Sequence, residues 1–471
     1  MAPCGRGVFS LARNNMNHYA THILARQAAA ITLSSIPGDV RRVACRALID
    51  TLGVALAGST MPIVQRLKRT VMSEGKASTL GGTLRVSPLD AARINGCAAH
   101  ALDFDDNCYA GFVHGSAVII PAALAVAQQY DRDGASLLTA IVSGSECQYR
   151  LGEALGQQLY QRGWWTTGVL GVVGAAVAAA HLLRLDTPQV AHAIALALAA
   201  AGGSKSAFGS DAKAVMAGLA AERGVQAALM AQAGITGPLN TLEHHYGLPA
   251  LMNDAQWRPK RLTAPGWRLL QPGLDVKRIP VCLSAHAAVD AVVALVQRHT
   301  LAVDGIKQIQ CDVPQIVIAN LIYADPMTPQ QAQFSLPYAI AATLFYGELT
   351  LNQLTQASLE PAELHALMAK VSITSSTQWQ HPQSLQTAPE GACVTLNLKS
   401  GRQLSCRVDR ALGNAANPLS DEALDDKFLS CAQRVLSATT SRRLLAQLRQ
   451  VIALPSVAQL SRLLENQEHE L

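Results

Sequence analysis

The densest cluster of polar residues occupies positions 100–107, which read His-Ala-Leu-Asp-Phe-Asp-Asp-Asn, and His114 follows it. Three carboxylates within four positions repel one another, so they need cations, hydrogen-bond donors or water nearby. Asp103 and Asn107 are four residues apart and would share one face of a helix. The cluster therefore fits a site for proton chemistry or for a metal ion. It also fits a set of aspartates that cap the ends of neighbouring helices.

Cationic residues follow in two later segments. Lys213 stands before an apolar helical segment at 214–234, where its ammonium group could face a cleft or simply solvent. Lys277, Arg278 and His286 lie close together at a predicted domain junction. Two cations and an imidazole suit carboxylate binding, and clefts between domains are favoured ligand sites.

Two further side chains are reactive in principle. Cys282 could be a nucleophile, but no sequence pattern pairs it with a histidine, and a buried thiol is the simpler interpretation. Tyr323 is the other candidate, although most tyrosines in such apolar surroundings are half-buried packing residues. The acidic run also suggests a magnesium-dependent prenyl-diphosphate site, but a second magnesium motif is missing and aromatic residues make up only 4% of the chain. We therefore expect no metal site.

Composition excludes several classes of protein. The 471 residues are 49% hydrophobic and 15% charged, which is typical of a globular chain with two or three domains. The formal charge is +5 without any basic run, so a nucleic-acid partner is not expected. Ten scattered cysteines form no Cys-x-x-Cys pair, which argues against structural zinc and for reduced thiols.

No membrane or export signal stands out. The most apolar segment, 168–183, is shorter than the roughly 20 residues needed to span a bilayer. The first 15 residues lack a long apolar core and a convincing cleavage site, and they read as an extension ahead of the first helix. We expect a cytoplasmic protein with no membrane partner.

Hydrophobic periodicity predicts a mainly α fold. Helical spacing covers seven segments before residue 260: 36–57, 88–101, 117–130, 135–154, 168–184, 187–201 and 215–234. Beyond residue 272 the pattern mixes predicted strands at 307–313, 392–398 and 401–408 with helices at 284–298, 335–346 and 360–370. The last segments, 419–436 and 440–466, are helical again. We predict a helical domain over 16–271, an α+β domain over 272–411, and a segment 412–471 that returns to the first domain.

Four motifs resemble the MmgE/PrpD family. They are Ala-His-Ala-Leu-Asp-Phe-Asp-Asp at 99–106, Gly-Trp-Trp-Thr-Thr-Gly at 163–168, Gly-Ser-Asp-Ala-Lys at 209–213, and Lys-Arg-Ile-Pro with Ser-Ala-His at 277–286. Their order and spacing hold from about residue 20 to about residue 440. The resemblance implies a large helical domain with a smaller α+β lid domain, a homodimer, and catalysis that uses neither a metal ion nor an organic cofactor.

The resemblance also assigns roles to residues. In the decarboxylase branch of the family, the active-site positions correspond to Asp103, His114, Lys213, Lys277 and Tyr323. We add five residues as candidates for substrate binding: Asn107, Trp165, Arg278, Cys282 and His286. This chain departs from the branch where Asn107 replaces threonine, and where Trp165, Met216 and Cys282 replace histidine.

Family members act on carbon atoms beside a carboxylate, so the expected partner is a small polycarboxylate substrate. The leading hypothesis is a hydro-lyase of the 2-methylcitrate dehydratase type. The alternatives are an epimerase or isomerase of a dicarboxylate such as iminodisuccinate, a cis-aconitate decarboxylase, and a member that binds a carboxylate without catalysis.

Overall fold

The computed structural model describes residues 18–464, so the predicted domain start at residue 16 and the last seven residues lie outside it. The described helices before residue 260 are α1 (Ala20–Ala30), α2 (Gly38–Gly58), α3 (Pro62–Lys68), α4 (Pro88–His100), α5 (Ser116–Gln129), α6 (Gly134–Leu155), α7 (Gln158–Gln161), α8 (Thr166–Leu182), α9 (Thr187–Ala199), α10 (Asp211–Gln232) and α11 (Leu248–Met252). All seven helices predicted for this part of the chain are confirmed.

The later helices are shorter. They are α12 (His286–His299), α13 (Gln315–Asn320), α14 (Pro329–Ala332), α15 (Leu336–Tyr346), α16 (Gln356–Leu359), α17 (Ala362–Met368), α18 (Pro382–Thr387), α19 (Asp421–Ala432), α20 (Ala438–Arg449) and α21 (Ala458–Leu464). The segment predicted to be helical over 440–466 forms two helices within the described residues, and Pro455 lies in the break between α20 and α21. Proline lacks the backbone N–H that a helix interior requires.

Small residues let the helices of the first part approach closely. A Cβ atom on Gly58 would lie 2.0 Å from the carbonyl oxygen of Ala98, and one on Gly218 would lie 2.1 Å from that of Arg93. Helix α8, rich in alanine and glycine, is buried on nearly every face. Such contacts bring α4 against α2 and α10, as the composition predicts.

Strands form one main sheet. It contains β3 (Ile306–Asp312), β4 (Val371–Thr374), β5 (Ala392–Leu398) and β6 (Gln403–Val408) in the order β4-β3-β5-β6. Strands β3 and β4 are parallel, while β5 pairs antiparallel with β3 and β6. The hairpin turn predicted between β5 and β6 is present, with Gly401 at φ +85°. Sequence reasoning missed β4 and a two-residue pair, β1 (Ala77–Ser78) with β2 (Arg85–Val86).

Buried apolar side chains form two large clusters. One gathers residues from 20 to 276 together with residues from 419 to 464, and the other gathers residues from 279 to 411. A smaller third cluster joins Leu102 and Phe104 to Leu351. The mainly α fold class is thus established, whereas the domain boundaries and the lid role of the middle segment stay predictions.

The C-terminal helices contact the first part of the chain. The ring of Phe428, on α19, lies against α2 where Gly53 leaves room for it. Lys427 forms a buried ion pair with Asp50 on α2 at 2.6 Å. Among the described residues no single helix is long and apolar enough to cross a bilayer. The bent pair Gly38–Gly58 and Pro62–Lys68, which meet at 85°, does have the length and composition for it.

Candidate active site

The acidic cluster lies on a loop, not on a helix. Helix α4 begins after Ser87, whose side chain accepts from the backbone N–H of Asp90, and it ends at His100. Asp103 follows with φ +48°, a left-handed conformation that is uncommon for a residue with a side chain. The expectation that Asp103 and Asn107 share one helical face is therefore wrong. The loop brings both side chains to the same cavity by a different route.

Backbone pairing places Lys277 beside this loop. Asn107 and Asp275 exchange two backbone hydrogen bonds, of 2.9 and 2.8 Å, as an isolated antiparallel bridge. Two residues after the bridge, the fully buried ammonium group of Lys277 donates to the carbonyl oxygen of Asp103 at 2.6 Å. It also donates to Oδ2 of Asp103 at 2.9 Å.

Helix packing places Lys213 on the other side of Asp103. Gly209, at φ +77°, turns the chain into α10, and Lys213 lies in the first turn of that helix. Gly96 of α4 and Gly218 of α10 meet closely, so the start of α10 lies beside the end of α4. Lys213 therefore reaches Oδ1 of Asp103 and forms a second buried ion pair.

The two lysines control the ionisation of Asp103. Burial disfavours its charged form, but Lys213 and Lys277 outweigh burial and lower the pKa of this carboxyl well below its usual range. Burial likewise opposes the charge on Lys277. The negative charges of Asp103 and Asp105 outweigh burial and raise the pKa of Lys277 above its usual value. Asp103 is thus a carboxylate that bridges two cations at the wall of a cavity.

A second carboxylate orients two imidazoles. Nδ1 of His100 lies 2.9 Å from Oδ2 of Asp105, and Nδ1 of His114 lies 3.3 Å from the same oxygen. Burial lowers the pKa of His100 to about 4, so this ring is neutral near pH 7. Burial opposes the charge on Asp105, but His100 and His114 hold its pKa well below the usual range.

The hydrogen bonds of His114 define its tautomer. Its Nδ1 lies 2.9 Å from the carbonyl oxygen of Asp106, which can only accept, so Nδ1 carries the proton. In the neutral ring Nε2 is then the acceptor, and His114 lines the cavity with 15% of its side chain exposed. This arrangement is suitable for a general base.

Seven of the ten predicted site residues line this one cavity: Asp103, Asn107, His114, Trp165, Lys213, Lys277 and Cys282. Trp165 forms part of the wall, and its ring centroid lies 5.2 Å from that of His100. Burial raises the pKa of the Cys282 thiol to about 11, so a thiolate nucleophile is not formed near neutral pH.

Three predicted residues are not brought to the cavity wall. Arg278 pairs with Asp290. His286 is buried, with Nε2 at 3.2 Å from the carbonyl oxygen of Val281, and burial holds its pKa well below the usual range. The hydroxyl of Tyr323 lies 3.5 Å from the carbonyl oxygen of Phe208, and Tyr323 does not line the cavity that Asp103 and His114 share.

Comparison with known proteins now decides the family. The MmgE/PrpD N-terminal domain matches residues 22–260, and the MmgE/PrpD C-terminal domain matches residues 279–451. The chain belongs to the MmgE/PrpD family.

Curated relatives within the family carry one named activity. The cis-aconitate decarboxylase of Homo sapiens is 29% identical over 419 residues, which is 85% of each chain. A cis-aconitate decarboxylase-like protein of Aspergillus oryzae is 28% identical over 458 residues, covering 92% of this chain and 93% of that protein. The chain is accordingly an enzyme of lyase type within the MmgE/PrpD family.

This MmgE/PrpD chain has cavity residues that sequence reasoning missed. Tyr160, Asn320 and Glu390 contribute polar groups to the wall, and Phe208 and Phe334 contribute aromatic rings. Glu390 directly precedes the glycine that leads into β5, where no local pattern distinguishes it from a surface turn residue. It reaches the cavity only through tertiary packing, since it accepts a hydrogen bond from the hydroxyl of Tyr109, 281 residues away in the sequence.

One group of ligand atoms has the spacing of a metal site. Among the described residues, His100, Asp105 and His114 offer ligand atoms that all lie within 4.8 Å of one another. In both histidines the nitrogen nearest the carboxylate is Nδ1, and each is within hydrogen-bonding reach of an acceptor oxygen. A metal ion would have to displace these protons, so the geometry fits a hydrogen-bonded imidazole pair better than a preformed cation site.

Proposed function

We propose that this enzyme removes a proton from a carbon beside a carboxylate of a small hydroxy-polycarboxylate and then eliminates water, as a 2-methylcitrate dehydratase does. The observation that carries the proposal is the bridge of Asp103 between Lys213 and Lys277, at the wall of a cavity that His114 also lines. Cations and a base are thus arranged around one small space.

The lysines would stabilise the charge that develops on the substrate. An ammonium group has three N–H donors. Lys277 donates two hydrogen bonds to Asp103 and keeps one N–H free. Lys213 donates one hydrogen bond to Asp103 and keeps two N–H groups free. When the proton leaves carbon, negative charge moves onto the adjacent carboxylate, and prepositioned cations there lower the barrier.

His114 would take the proton. Its Nε2 is the acceptor, while Asp105 and the carbonyl oxygen of Asp106 hold the other side of the ring. The electron pair of the C–H bond, first delocalised onto the adjacent carboxylate, then forms the new double bond as the C–O bond breaks. A proton from Lys213 then converts the leaving hydroxide into water. We assign the acid to Lys213 rather than Tyr323 because Lys213 lines the cavity.

Decarboxylation of cis-aconitate is the second candidate, since the curated relatives carry that name. It uses the same cations to hold the carboxylates and a proton donor for the carbon that loses carbon dioxide. Trp165 and Cys282 supply no imidazole for that step, which favours dehydration. Epimerisation of a dicarboxylate such as iminodisuccinate needs proton donors on both faces of one carbon, and His114 with Lys213 could fill those positions.

The test is incubation of the purified protein with 2-methylcitrate, cis-aconitate and iminodisuccinate separately in deuterated water, followed by proton NMR. We expect alkene signals from 2-methylcitrate. Loss of carbon dioxide from cis-aconitate, or solvent exchange at a stereocentre without elimination, would replace dehydration by the corresponding alternative. Turnover of none of the three would favour a non-catalytic, carboxylate-binding protein.

A matched pair of lysine variants tests the site itself. Lys213→Ala should abolish turnover with the fold intact, whereas Lys399→Ala, in the exposed β5–β6 turn, should leave it unchanged. Full activity in the Lys213 variant would remove this residue from the mechanism. Independence of cofactors, a homodimer and a cytoplasmic location are parts of the same proposal. Metal analysis of the active protein tests the first, size-exclusion chromatography the second, and fractionation of cells the third.

A further inference from the structure

Glu390 brings a second carboxylate to the wall of the cavity that Asp103, Lys213 and Lys277 also line. It lies in the turn before β5 and is half buried. The hydroxyl groups of Tyr109 and Ser284 donate to its two carboxylate oxygens, one each. A carboxylate in a cavity for polyanions needs an explanation, because it repels the carboxylates that the lysines attract.

A chain of hydrogen bonds points towards Glu390. The hydroxyl of Tyr160 donates to Asn320 Oδ1 at 2.9 Å, and Asn320 Nδ2 donates to Ser284 Oγ at 3.1 Å. The hydroxyl of Ser284 has a single proton. Because its oxygen accepts a hydrogen bond from Asn320, that proton forms the hydrogen bond to Glu390. All the donors in this series of hydrogen bonds therefore point towards Glu390. The ionised carboxylate of Glu390 is the acceptor at the end of the series.

The tyrosines remain donors. Burial, reinforced by Glu390 and Asp275, raises the pKa of Tyr109 well above its usual value. Burial, with Cys282 and Glu390, does the same for Tyr160. Neither hydroxyl ionises near neutral pH, so the orientation of the chain is preserved under working conditions.

The charges on the cavity wall balance. Lys213 and Lys277 contribute two positive charges, and Asp103 and Glu390 contribute two negative charges. Each oxygen of an ionised carboxylate has room for about two hydrogen bonds, so Glu390 can accept another. Lys213 and Lys277 suit a carboxylate of the ligand, whereas Glu390 suits a hydrogen-bond donor and disfavours a further carboxylate.

We propose that Glu390 is a specificity-determining residue that accepts a hydrogen bond from a hydroxyl or N–H group of the substrate and selects against ligands that lack this donor. The inference rests on the proposed polycarboxylate site and narrows its substrate class to hydroxy- or amino-polycarboxylates. Loss of one hydrogen bond to a charged acceptor changes affinity by roughly 10- to 100-fold.

Citrate and tricarballylate are the probes, because they carry the same three carboxylates and differ only in one hydroxyl. Titration calorimetry on the full chain should show that wild type binds citrate at least tenfold more tightly. Glu390→Gln removes the charge and offers an amide N–H. It should therefore weaken the binding of citrate, strengthen the binding of tricarballylate, and bring the ratio of the two dissociation constants near one. Glu360→Gln, at an exposed position, is the control and should keep the wild-type ratio.

A second variant guards against a folding defect. Tyr109→Phe removes one donor that holds the Glu390 carboxylate and should lower the citrate preference by a smaller factor. A wild type without preference for citrate would overturn the proposal. So would an unchanged ratio in a folded Glu390→Gln or, if that variant does not fold, in Tyr109→Phe.

The lysine site is tested separately. Lys213→Ala should weaken both probes together, because it removes a cation that either ligand needs. One outcome is that Lys213→Ala weakens the binding of both probes while Glu390→Gln leaves the ratio of their dissociation constants unchanged. In that case the polycarboxylate site is supported and the proposed role of Glu390 is wrong. If Lys213→Ala weakens neither probe, the proposed function itself fails.

Discussion

Removing the shared carboxylate should destabilise the fold more than removing one of its two cations. At 2.9 Å and an effective dielectric constant of about 20, the attraction between Lys277 and Asp103 is about 6 kcal/mol before desolvation is counted. Lys213 contributes a similar attraction on the other oxygen. Asp103→Asn loses both and leaves two buried ammonium groups without their counter-ion, which costs about 3–5 kcal/mol.

The variant Lys277→Met should lose less stability than Asp103→Asn. It removes a buried charge together with its desolvation cost, and Asp103 keeps Lys213 as a partner. The carbonyl oxygen of Asp103 also loses a donor, so we expect a cost of about 1–3 kcal/mol. In the double variant, Asp103→Asn no longer strands Lys277. The double variant should therefore be more stable than Asp103→Asn alone, with a coupling energy of about 1–3 kcal/mol.

Urea unfolding of the ligand-free protein, followed by far-UV circular dichroism, measures these differences as shifts in the transition midpoint at a common slope. Asp409→Asn is the control for the same chemical change, because Asp409 pairs with Arg407 at the surface and should cost less than about 1 kcal/mol. The reasoning is refuted if Lys277→Met is at least as destabilising as Asp103→Asn, or if the two effects simply add.

Three further outcomes follow from the site. Asp105→Asn should lower kcat about 100-fold with little change in KM, because Asp105 contacts His114 and not the cavity; a change confined to KM would contradict the base assignment. Burial raises the pKa of Asp106 from 3.8 to about 8. Between these pH values the folded protein keeps a proton that the unfolded chain releases. The stability that this proton contributes is therefore lost as the pH rises towards 8. Thermal unfolding should therefore show Asp106→Asn gaining stability relative to wild type between pH 5 and pH 8, and an identical pH profile would show that Asp106 is not the titrating group. Cys282→Ser should keep kcat within about threefold, because the pKa of the thiol is raised to about 11; a loss of 100-fold or more would indicate covalent catalysis.

Local patterns in the sequence determine the helices and much of the sheet. Apolar residues at helical spacing predict α4, α8 and α10 to within a few residues, because burial of one helix face is encoded by nearby positions. Alternation predicts β3, β5 and β6 in the same way. It fails for β4, whose four residues are too few to show a period.

Motifs in the sequence also identify the family and seven of the residues at the cavity. They do not determine which side chains meet. Lys213 and Lys277 are 110 and 174 residues from Asp103, and only the crossing of α4 with α10 and the bridge at Asn107 bring them together. The same packing leaves Arg278 with Asp290 instead of the cavity.

Glu390 shows the limit most clearly. In the sequence it is an ordinary acidic residue in a turn, and its surroundings come from distant segments that supply Tyr109 and Ser284. Sequence determines what each residue can do chemically and which local element carries it. Tertiary structure alone decides which charges face one another, because pair interactions depend on distances that long-range packing sets.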